Sequence, residues 1–437
     1  MPHDERERRP EGAVAVVRRA PFSDNPRVGA RGQRTQQRIL DAALQVFGER
    51  GYHAASIDRI AKVARCSRVS FYQYFASKED VFRQLAGQVS RQMGASTDAL
   101  APLTADHAGR AVLQSWVTRY AEIHARYEPV FHAYETDEAL AQVVRRTGGE
   151  VVAGIQSRLV TTTLPPRQLD PVIRLLLQCL NRTLGVVGVL RAAAPDAYPR
   201  TRVEDAITDV LHRTLFGLRT EVNVHDATGS PPPALPFSAA TRDLLAQDDA
   251  SLDEAATGNR ALGALVKAGH DVFVSRGYHN TRVDDLVAAA GVSHGAFYRY
   301  FRSKGELARI LASRAMRATG TTLMELPDAL TQNASSSRGS VRRWLRRYHA
   351  AHANEAAMLR VWLDAALQDP ILRTELAPPL DWGRRRIAGY LHPRGFGDPD
   401  MEAVVMVALL GVFGAQERPA ADIEAAAHII ERGLLGR

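Results

Sequence analysis

The apolar positions of this chain recur with the 3.6-residue spacing of amphipathic helices along almost its whole length. The stripe Ile39, Leu40, Ala43, Leu44 and Phe47 is one example, and it places five apolar side chains on one helix face. Convincing alternation of apolar and polar residues, the pattern of a half-buried strand, does not occur. The sequence therefore predicts an all-α fold.

Two stretches without helical spacing divide the chain. Residues 1–30 are charged and proline-punctuated, which predicts a disordered basic tail. Residues 223–258 contain three consecutive prolines, Pro231 to Pro233, which predicts a semi-extended linker. A chain of 437 residues is too long for one hydrophobic core. We therefore expect two helical halves, one on each side of the linker.

A helix-turn-helix pattern occurs once in each half. The first copy ends in SRVSFYQYF, Ser67–Phe75, and the second ends in SHGAFYRYF, Ser293–Phe301, 226 residues later. Both copies are preceded by Gly-Tyr-His and followed by Ser-Lys. Such self-similarity without gaps indicates that one half arose by duplication of the other.

Capping residues mark where the helices of both copies begin. Ser56 is placed to cap the second helix of the first copy. A serine or threonine followed three residues later by an acid is a capping box. Three such pairs occur within the two copies, namely Ser77 with Asp80, Thr281 with Asp284, and Ser303 with Glu306.

A short helix that follows a tight turn can enter the major groove of DNA and present its exposed side chains to the base edges. In the first copy the predicted DNA-binding residues are Ser56, Arg65, Ser67, Arg68, Ser70, Tyr72, Gln73 and Lys78. In the second copy they are Thr281, Ser293, His294, Tyr298, Arg299 and Lys304. Arginine pairs best with guanine and glutamine with adenine. The two lysines stand at the start of the next helix, where a cation and free backbone N–H groups can grip a phosphate.

The pattern Phe-Tyr-x-Tyr-Phe-x-Ser-Lys, with the preceding Gly-Tyr-His, resembles the TetR family of bacterial regulators. The resemblance implies two TetR-like modules, each with a three-helix DNA-binding domain and a helical effector and dimerisation domain. The corresponding ranges are 31–86 and 87–222 in the first half, and 259–312 and 313–437 in the second. It also implies that Tyr72 and Tyr298 contact the DNA backbone and that Phe75 and Phe301 lie in the core.

The first copy departs from the family pattern in its turn. Arg65 stands where the second copy has Gly291, and Val69 stands where it has Gly295. A residue other than glycine in the left-handed conformation costs about 1 kcal/mol. We therefore expect a strained or slightly re-aimed first turn. An alternative is that one copy is vestigial and is kept for dimerisation only.

Aromatic residues at helical spacing follow the helix-turn-helix in both halves. They either line an effector pocket or pack as ordinary core. The candidate pocket residues are Trp116, Tyr120, His124, Tyr127, Phe131, Trp344, Tyr348, His352 and Trp362. Neither His124 nor His352 has an acidic or cysteine partner at ligand spacing, so we expect no metal site and no cofactor.

Charge and composition narrow the function classes. The formal net charge of +8 favours a polyanionic partner. Two cysteines exclude a disulfide framework and fit a reducing cytosol. Glycine-rich phosphate loops, nucleophile elbows and paired zinc-ligand motifs are lacking, so an enzyme is not expected. No apolar run reaches membrane-spanning length, and the longest, Ala403–Ala415, is interpreted as a buried helix.

The resulting hypothesis is a cytoplasmic, ligand-responsive repressor that binds a double-stranded DNA operator and an unidentified small-molecule effector. Its terminal helices are expected to form a four-helix bundle, either within one chain as a pseudo-dimer or between chains as a homodimer. The candidates for these helices are Asp170–Leu190, Val203–Arg219, Met401–Phe413 and Ile423–Leu434. One alternative is a structural or non-specific DNA-binding protein without an effector. The other is an interaction module whose two helix-turn-helix copies, the DNA readers, have decayed and no longer bind DNA.

Overall fold

The computed structural model is built from helices, which confirms the all-α prediction. It describes residues 29–133, 138–223, 229–239, 242–243, 258–326, 334–352, 355–368, 370–414 and 420–437. In this part of the chain, β-structure is limited to one isolated bridge between Leu103 and Leu159. The predicted tail lies outside the described residues up to position 28, and so does much of the predicted linker.

Ten helices make up the described part of the first half. They are α1 (Ala30–Ala54), α2 (Ile57–Val63), α3 (Arg68–Tyr74), α4 (Lys78–Asp98), α5 (His107–Arg126), α6 (Glu128–Ala133), α7 (Glu138–Arg158), α8 (Pro166–Ala193), α9 (Arg200–Phe216) and α10 (Thr220–Asn223). Helix α1 has a break at Gly51, whose φ angle is 73°.

The second half repeats the order of the first at its start. Its helices are α11 (Arg260–Arg276), α12 (Val283–Ala290), α13 (His294–Tyr300), α14 (Lys304–Met324), α15 (Ala334–His352), α16 (Glu355–Gln368), α17 (Pro370–Leu391), α18 (Pro399–Gly414) and α19 (Ala420–His428). A π-helical segment, Ile429–Leu434, continues α19.

Phenylalanine side chains form the centre of each helix-turn-helix domain. Phe71 and Phe75 are fully buried in the first domain, with their ring centroids 5.8 Å apart. Phe297 and Phe301 repeat this pair in the second domain at 5.6 Å. The expectation that Phe75 and Phe301 are core residues is thereby confirmed. Burial of these rings fixes which faces of α3 and α13 point to solvent.

The two halves pack against each other through their last helices. Helix α8 lies against α18 and α19, and α9 lies against α18 and the π-helical segment. One hydrophobic cluster runs through both halves and includes Val187 and Leu409. Within the chain, the terminal segments of the first half thus contact those of the second half.

Buried charges cross the same contact between the halves. The Arg213 guanidinium lies 2.8 Å from the Glu402 carboxylate, and both side chains are fully buried. Arg213 Nε also donates to the Gly433 carbonyl oxygen at 2.7 Å. Arg394 forms a second close ion pair with Glu402. Because charges are costly to bury without partners, removing one member of this cluster would leave the others uncompensated in the interior.

Helix α8 corrects the expectation about apolar runs. It is 28 residues long and apolar enough to span a membrane by length and composition, whereas the sequence pattern points to Ala403–Ala415 as the longest apolar run. More than half of its most apolar stretch is buried inside the protein. Since it packs against α18, α8 is a core helix of the contact between the halves.

Candidate nucleic-acid interface

Serine residues cap α3 and α13, the short helices that follow the two tight turns and that we call the recognition helices. The two caps occupy equivalent positions. Ser67 Oγ accepts a hydrogen bond from Ser70 N at 3.0 Å at the start of α3. Ser293 Oγ accepts one from Ala296 N at 3.2 Å at the start of α13. Ser56 caps α2 by accepting from Arg59 N, as the sequence predicts. The caps satisfy backbone donors at the helix starts, so each helix begins at a defined residue.

Most of the predicted DNA-binding side chains lie on the solvent-facing side of these helices. Those that are exposed are Ser56, Arg65, Ser67, Arg68, Gln73, Ser293, His294, Tyr298 and Arg299. Ser70 and Tyr72 are half-buried. Tyr298 is 57 % exposed although it is aromatic, which leaves its ring available to a ligand such as a DNA backbone. The opposite faces are closed by the buried phenylalanines.

A carboxylate of the preceding helix lies beside the first residue of each recognition helix. Arg68 Nη1 lies 3.3 Å from the Asp58 carboxylate, and His294 Nε2 lies 2.9 Å from Asp284 Oδ1. In both copies the acid stands ten positions before its partner, a spacing from which neither contact was predicted. Exposed pairs contribute less than about 1 kcal/mol. Arg68 and His294 can therefore exchange these carboxylates for a base edge.

The lysines predicted to anchor phosphates are used inside their domains in this structure. Lys78 Nζ donates to the carbonyl oxygens of Tyr52 at 2.8 Å and Ala55 at 3.3 Å. Lys304 Nζ donates to the carbonyl oxygens of Tyr278 and Thr281, both at 2.8 Å. Burial lowers the pKa of both lysines below the usual value. These contacts tie the start of α4 to the end of α1, and the start of α14 to the chain between α11 and α12.

The Lys ammonium groups also face aromatic rings. Lys78 Nζ lies 4.5 Å from the centre of the Tyr52 ring, and Lys304 Nζ lies 4.4 Å from that of Tyr278. Cations over aromatic faces are stabilised by about 0.5–2 kcal/mol, depending on exposure. The repeated Tyr of the Gly-Tyr-His motif thus has a structural role that the sequence pattern alone did not reveal.

Thr281 is not the helix cap and DNA-contacting residue that the sequence predicts. Its side chain is fully buried, and its hydroxyl donates to the Gly277 carbonyl oxygen at 2.8 Å. The cap of α12 is Arg282, whose backbone N–H donates to the Asp285 carboxylate at 2.8 Å. The predicted capping box of Thr281 with Asp284 is therefore wrong by one residue. A buried hydroxyl engaged in this way is not available for DNA contact.

The turn before α3 has the conformation that the sequence predicts. Arg65 has a φ angle of 53°. Among the described residues, it is the only residue other than glycine with a positive φ angle. Gly291 occupies the equivalent position with φ 64° and ψ 35°. A Cβ added at Gly291 would meet no atom within 4 Å. The cost of a side chain at this position is therefore conformational and does not come from a clash.

Replacing Arg65 with glycine is expected to raise the free energy of unfolding of the first DNA-binding domain by about 1 kcal/mol, because the strain of the left-handed turn is removed. The reciprocal change, Gly291→Arg, is expected to lower that of the second domain by a similar amount. Urea unfolding of both full-length variants measures the two effects. Unchanged stability in both variants would contradict the strain at Arg65.

The aromatic residues proposed for an effector pocket are largely core residues. The buried members are Trp116, Tyr120, His124, Tyr127, Phe131, Trp344, Tyr348 and Trp362. The side chain of His352 lies outside the part of the chain that the structure describes. The His124 ring stacks on Phe131 at 4.7 Å, and burial lowers the pKa of His124 to about 4. The geometry favours the core interpretation for most of this set.

Two concavities lie near these aromatic residues. In the first half, Trp116 lines an open recess between α4 and α5. In the second half, Tyr348 lines a largely apolar cavity of about 440 Å³. Volumes of this size are typical of small-molecule sites. Most of the cavity lining could not be found from the sequence, since residues such as Gly320, Pro379 and Trp382 come from helices whose packing helical spacing does not predict.

Comparison with known proteins supports the repeated domain. The family model for bacterial regulatory proteins of the tetR family matches residues 39–85 and again residues 265–311. An uncharacterized helix-turn-helix regulator of Bacillus subtilis, YdgC, is 35 % identical over 71 residues, which cover 16 % of this chain and 36 % of the relative. The fatty acid metabolism regulator protein of the same organism is 39 % identical over 59 residues, covering 13 % and 30 %. The chain thus spans about a third of the length of these curated relatives.

Two solved structures of tetR-family regulators also match part of the chain. One, from Streptomyces coelicolor, matches 43 % of this chain and 82 % of its own length, with 22 % identity and a TM-score of 0.34. The regulator PfmR from Thermus thermophilus matches 40 % and 97 %, with 20 % identity and a TM-score of 0.31. From the two matches to the family model, the chain carries the helix-turn-helix domain of tetR-family bacterial regulatory proteins twice, at residues 39–85 and 265–311.

Proposed function

We propose that this chain is a sequence-specific DNA-binding regulator that acts as an intrachain pseudo-dimer. The observation that carries the proposal is the packing of α8 and α9 of the first half against α18, α19 and the π-helical segment of the second. Each half also keeps a serine-capped recognition helix. One chain therefore presents two readers. The proposal keeps the domain ranges expected from the sequence. These are DNA-binding domains at 31–86 and 259–312, and effector and dimerisation domains at 87–222 and 313–437.

The two readers differ at the positions that face solvent. Arg68, Ser70 and Gln73 of α3 correspond to His294, Ala296 and Arg299 of α13. A homodimer presents two identical readers and therefore prefers a palindrome. A pseudo-dimer with unlike readers prefers an operator with two unlike half-sites. In this proposal the partner is double-stranded DNA, and the protein binds it in the cytoplasm.

The regulatory direction we propose is repression relieved by a small-molecule effector. A ligand shifts a conformational equilibrium only by its difference in affinity for the two states. An effector that prefers a conformer with wrongly spaced readers would therefore release DNA. The cavity in the second half supplies a place for such a ligand.

Selection of bound sites from a random duplex pool, with the full chain at physiological salt, tests the proposal. We expect enrichment of a site with two unlike halves. Arg68→Ala should relax the preference in one half-site, and Arg299→Ala should relax it in the other, each with a loss of about 1–3 kcal/mol at the contacted base. The mass of the complex should correspond to one chain per operator.

Other results point to the alternatives. A palindromic site with two chains bound would indicate a homodimer led by one reader, with the second copy vestigial. Weak binding without enrichment would indicate a structural DNA-binding protein. Absence of salt-dependent binding would indicate an interaction module with decayed readers.

A further inference from the structure

The cavity of the second half is lined in part by residues that lie outside that half. Val186 and Arg182 of α8 belong to the first half, and both line it. Phe237 lines it from the proline-rich stretch between the halves. The remaining lining comes from the second half, chiefly α14, α17 and α18. The cavity is complete only when the two halves are packed together.

Hydrogen bonds fix the proline-rich stretch beside this cavity. Leu235 N donates to Asp381 Oδ2 at 2.9 Å, and the Pro232 carbonyl oxygen accepts from Arg384 Nη2 at 3.4 Å. Asp381 and Arg384 are themselves buried and paired on α17. Because these bonds anchor the segment two residues before Phe237, that ring is placed as one wall of the cavity.

The lining combines apolar walls with positive charge. Arg182 is buried and Arg317 is half-buried, and both residues belong to the lining. None of the described lining residues is acidic. Most of the others are aliphatic, aromatic or glycine. Apolar walls accept a hydrocarbon body, whereas guanidinium groups recognise a carboxylate or phosphate head.

Helix α16 connects this cavity to both DNA-binding domains. Leu359 and Leu363 of α16 line the cavity. The same helix contacts α1, the first helix of the first reader, and α11, the first helix of the second. A displacement of α16 by a ligand would therefore reach both readers at once.

We propose that each chain holds one site for an amphipathic anion, a hydrocarbon body with a carboxylate or phosphate head, formed jointly by both halves and the segment between them. The head lies at Arg182 and Arg317, and occupancy acts on both readers through α16. This inference rests on the proposed function for its regulatory part, whereas the binding site itself is independent of DNA.

Calorimetric titration of the full chain with three probes of equal chain length tests the site. We expect decanoate to bind once per chain and about tenfold more tightly than 1-decanol, and decyltrimethylammonium to bind more weakly still. Equal affinity for all three probes would overturn the anionic head site. Two decanoates per chain would overturn the single asymmetric site, since each half would then hold its own.

Variants separate the head site from the walls. Arg317→Gln should lower decanoate affinity about tenfold and leave 1-decanol unchanged. Arg119→Gln, an arginine of the first-half recess, is the matched control and should change neither. Val186→Phe should abolish binding of both probes by filling the cavity from the first half. Gly320→Leu serves the same purpose from α14, where a Cβ would lie 3.6 Å from the Trp382 ring without a clash.

Footprinting on the selected operator tests the link through α16. Decanoate should remove protection from both half-sites over the same concentration range. Loss at one half-site only would overturn the shared action on both readers. Calorimetric binding of decanoate in a chain that binds no DNA would leave the site standing and reject the proposed function, while DNA binding without decanoate binding would reject the site alone.

Discussion

Glu402→Ala is expected to lower the free energy of unfolding by about 3–5 kcal/mol, because it leaves the Arg213 guanidinium buried without a counter-charge. Arg213 and Glu402 are both fully buried and lie 2.8 Å apart, across the contact between the two halves. Arg394 would lose the same partner. Urea unfolding of the full chain, followed by circular dichroism, measures the loss.

Two comparisons show whether the effect arises from the buried charge. Glu150→Ala removes an exposed partner of Arg146 and should cost less than about 0.5 kcal/mol. Combining Arg213→Met with Glu402→Leu should recover part of the loss, since apolar replacement of both partners is often neutral. A loss below about 1 kcal/mol for Glu402→Ala would mean that water reaches the pair and that it does not specify how the halves pack.

Local features of the fold could be predicted because their causes lie within a few residues. Helical spacing and caps placed α2, α3 and α13, and the phenylalanine pattern identified the buried faces. The left-handed turn at Arg65 followed from comparing it with Gly291. Each of these depends on contacts within one turn or on the internal repeat.

Features that depend on distant parts of the chain could not be predicted. Lys78 is 26 residues from Tyr52, and its ammonium group could equally well have pointed to solvent. The cavity needs residues from α8 and α14, which lie in different halves of the chain. Periodicity says which face of a helix is apolar but not which helix covers it.

The two halves differ in their concavities. Tyr348 of the second half lines the cavity, together with an arginine of α8, whereas Trp116 of the first half lines a separate open recess. A homodimer must use the same surface twice, but a duplicated chain can change one copy alone. In the function proposed above, one half can then specialise in ligand binding while both retain a reader.

Lys78→Met is expected to lower the free energy of unfolding of the first DNA-binding domain by about 2–3 kcal/mol, because two carbonyl oxygens lose a charged donor. Lys304→Met should have the same effect on the second domain, where the contacts with Tyr278 and Thr281 are equivalent. Lys62→Met is the matched control, since Lys62 is exposed at the end of α2 and should change stability little. Urea unfolding of the full-length variants measures these effects.

The salt dependence of DNA binding distinguishes this internal role from a phosphate contact. A lysine bound to phosphate contributes about 0.9 to the slope of log K against log salt concentration. If the Lys78 ammonium stays on the Tyr52 and Ala55 carbonyls in the complex, Lys78→Met should leave the slope unchanged while stability falls. A slope reduced by about 0.9 with unchanged stability would instead support the phosphate anchor that the sequence predicts. In the internal role, the backbone N–H groups at the start of α4 remain the groups that can bind phosphate there.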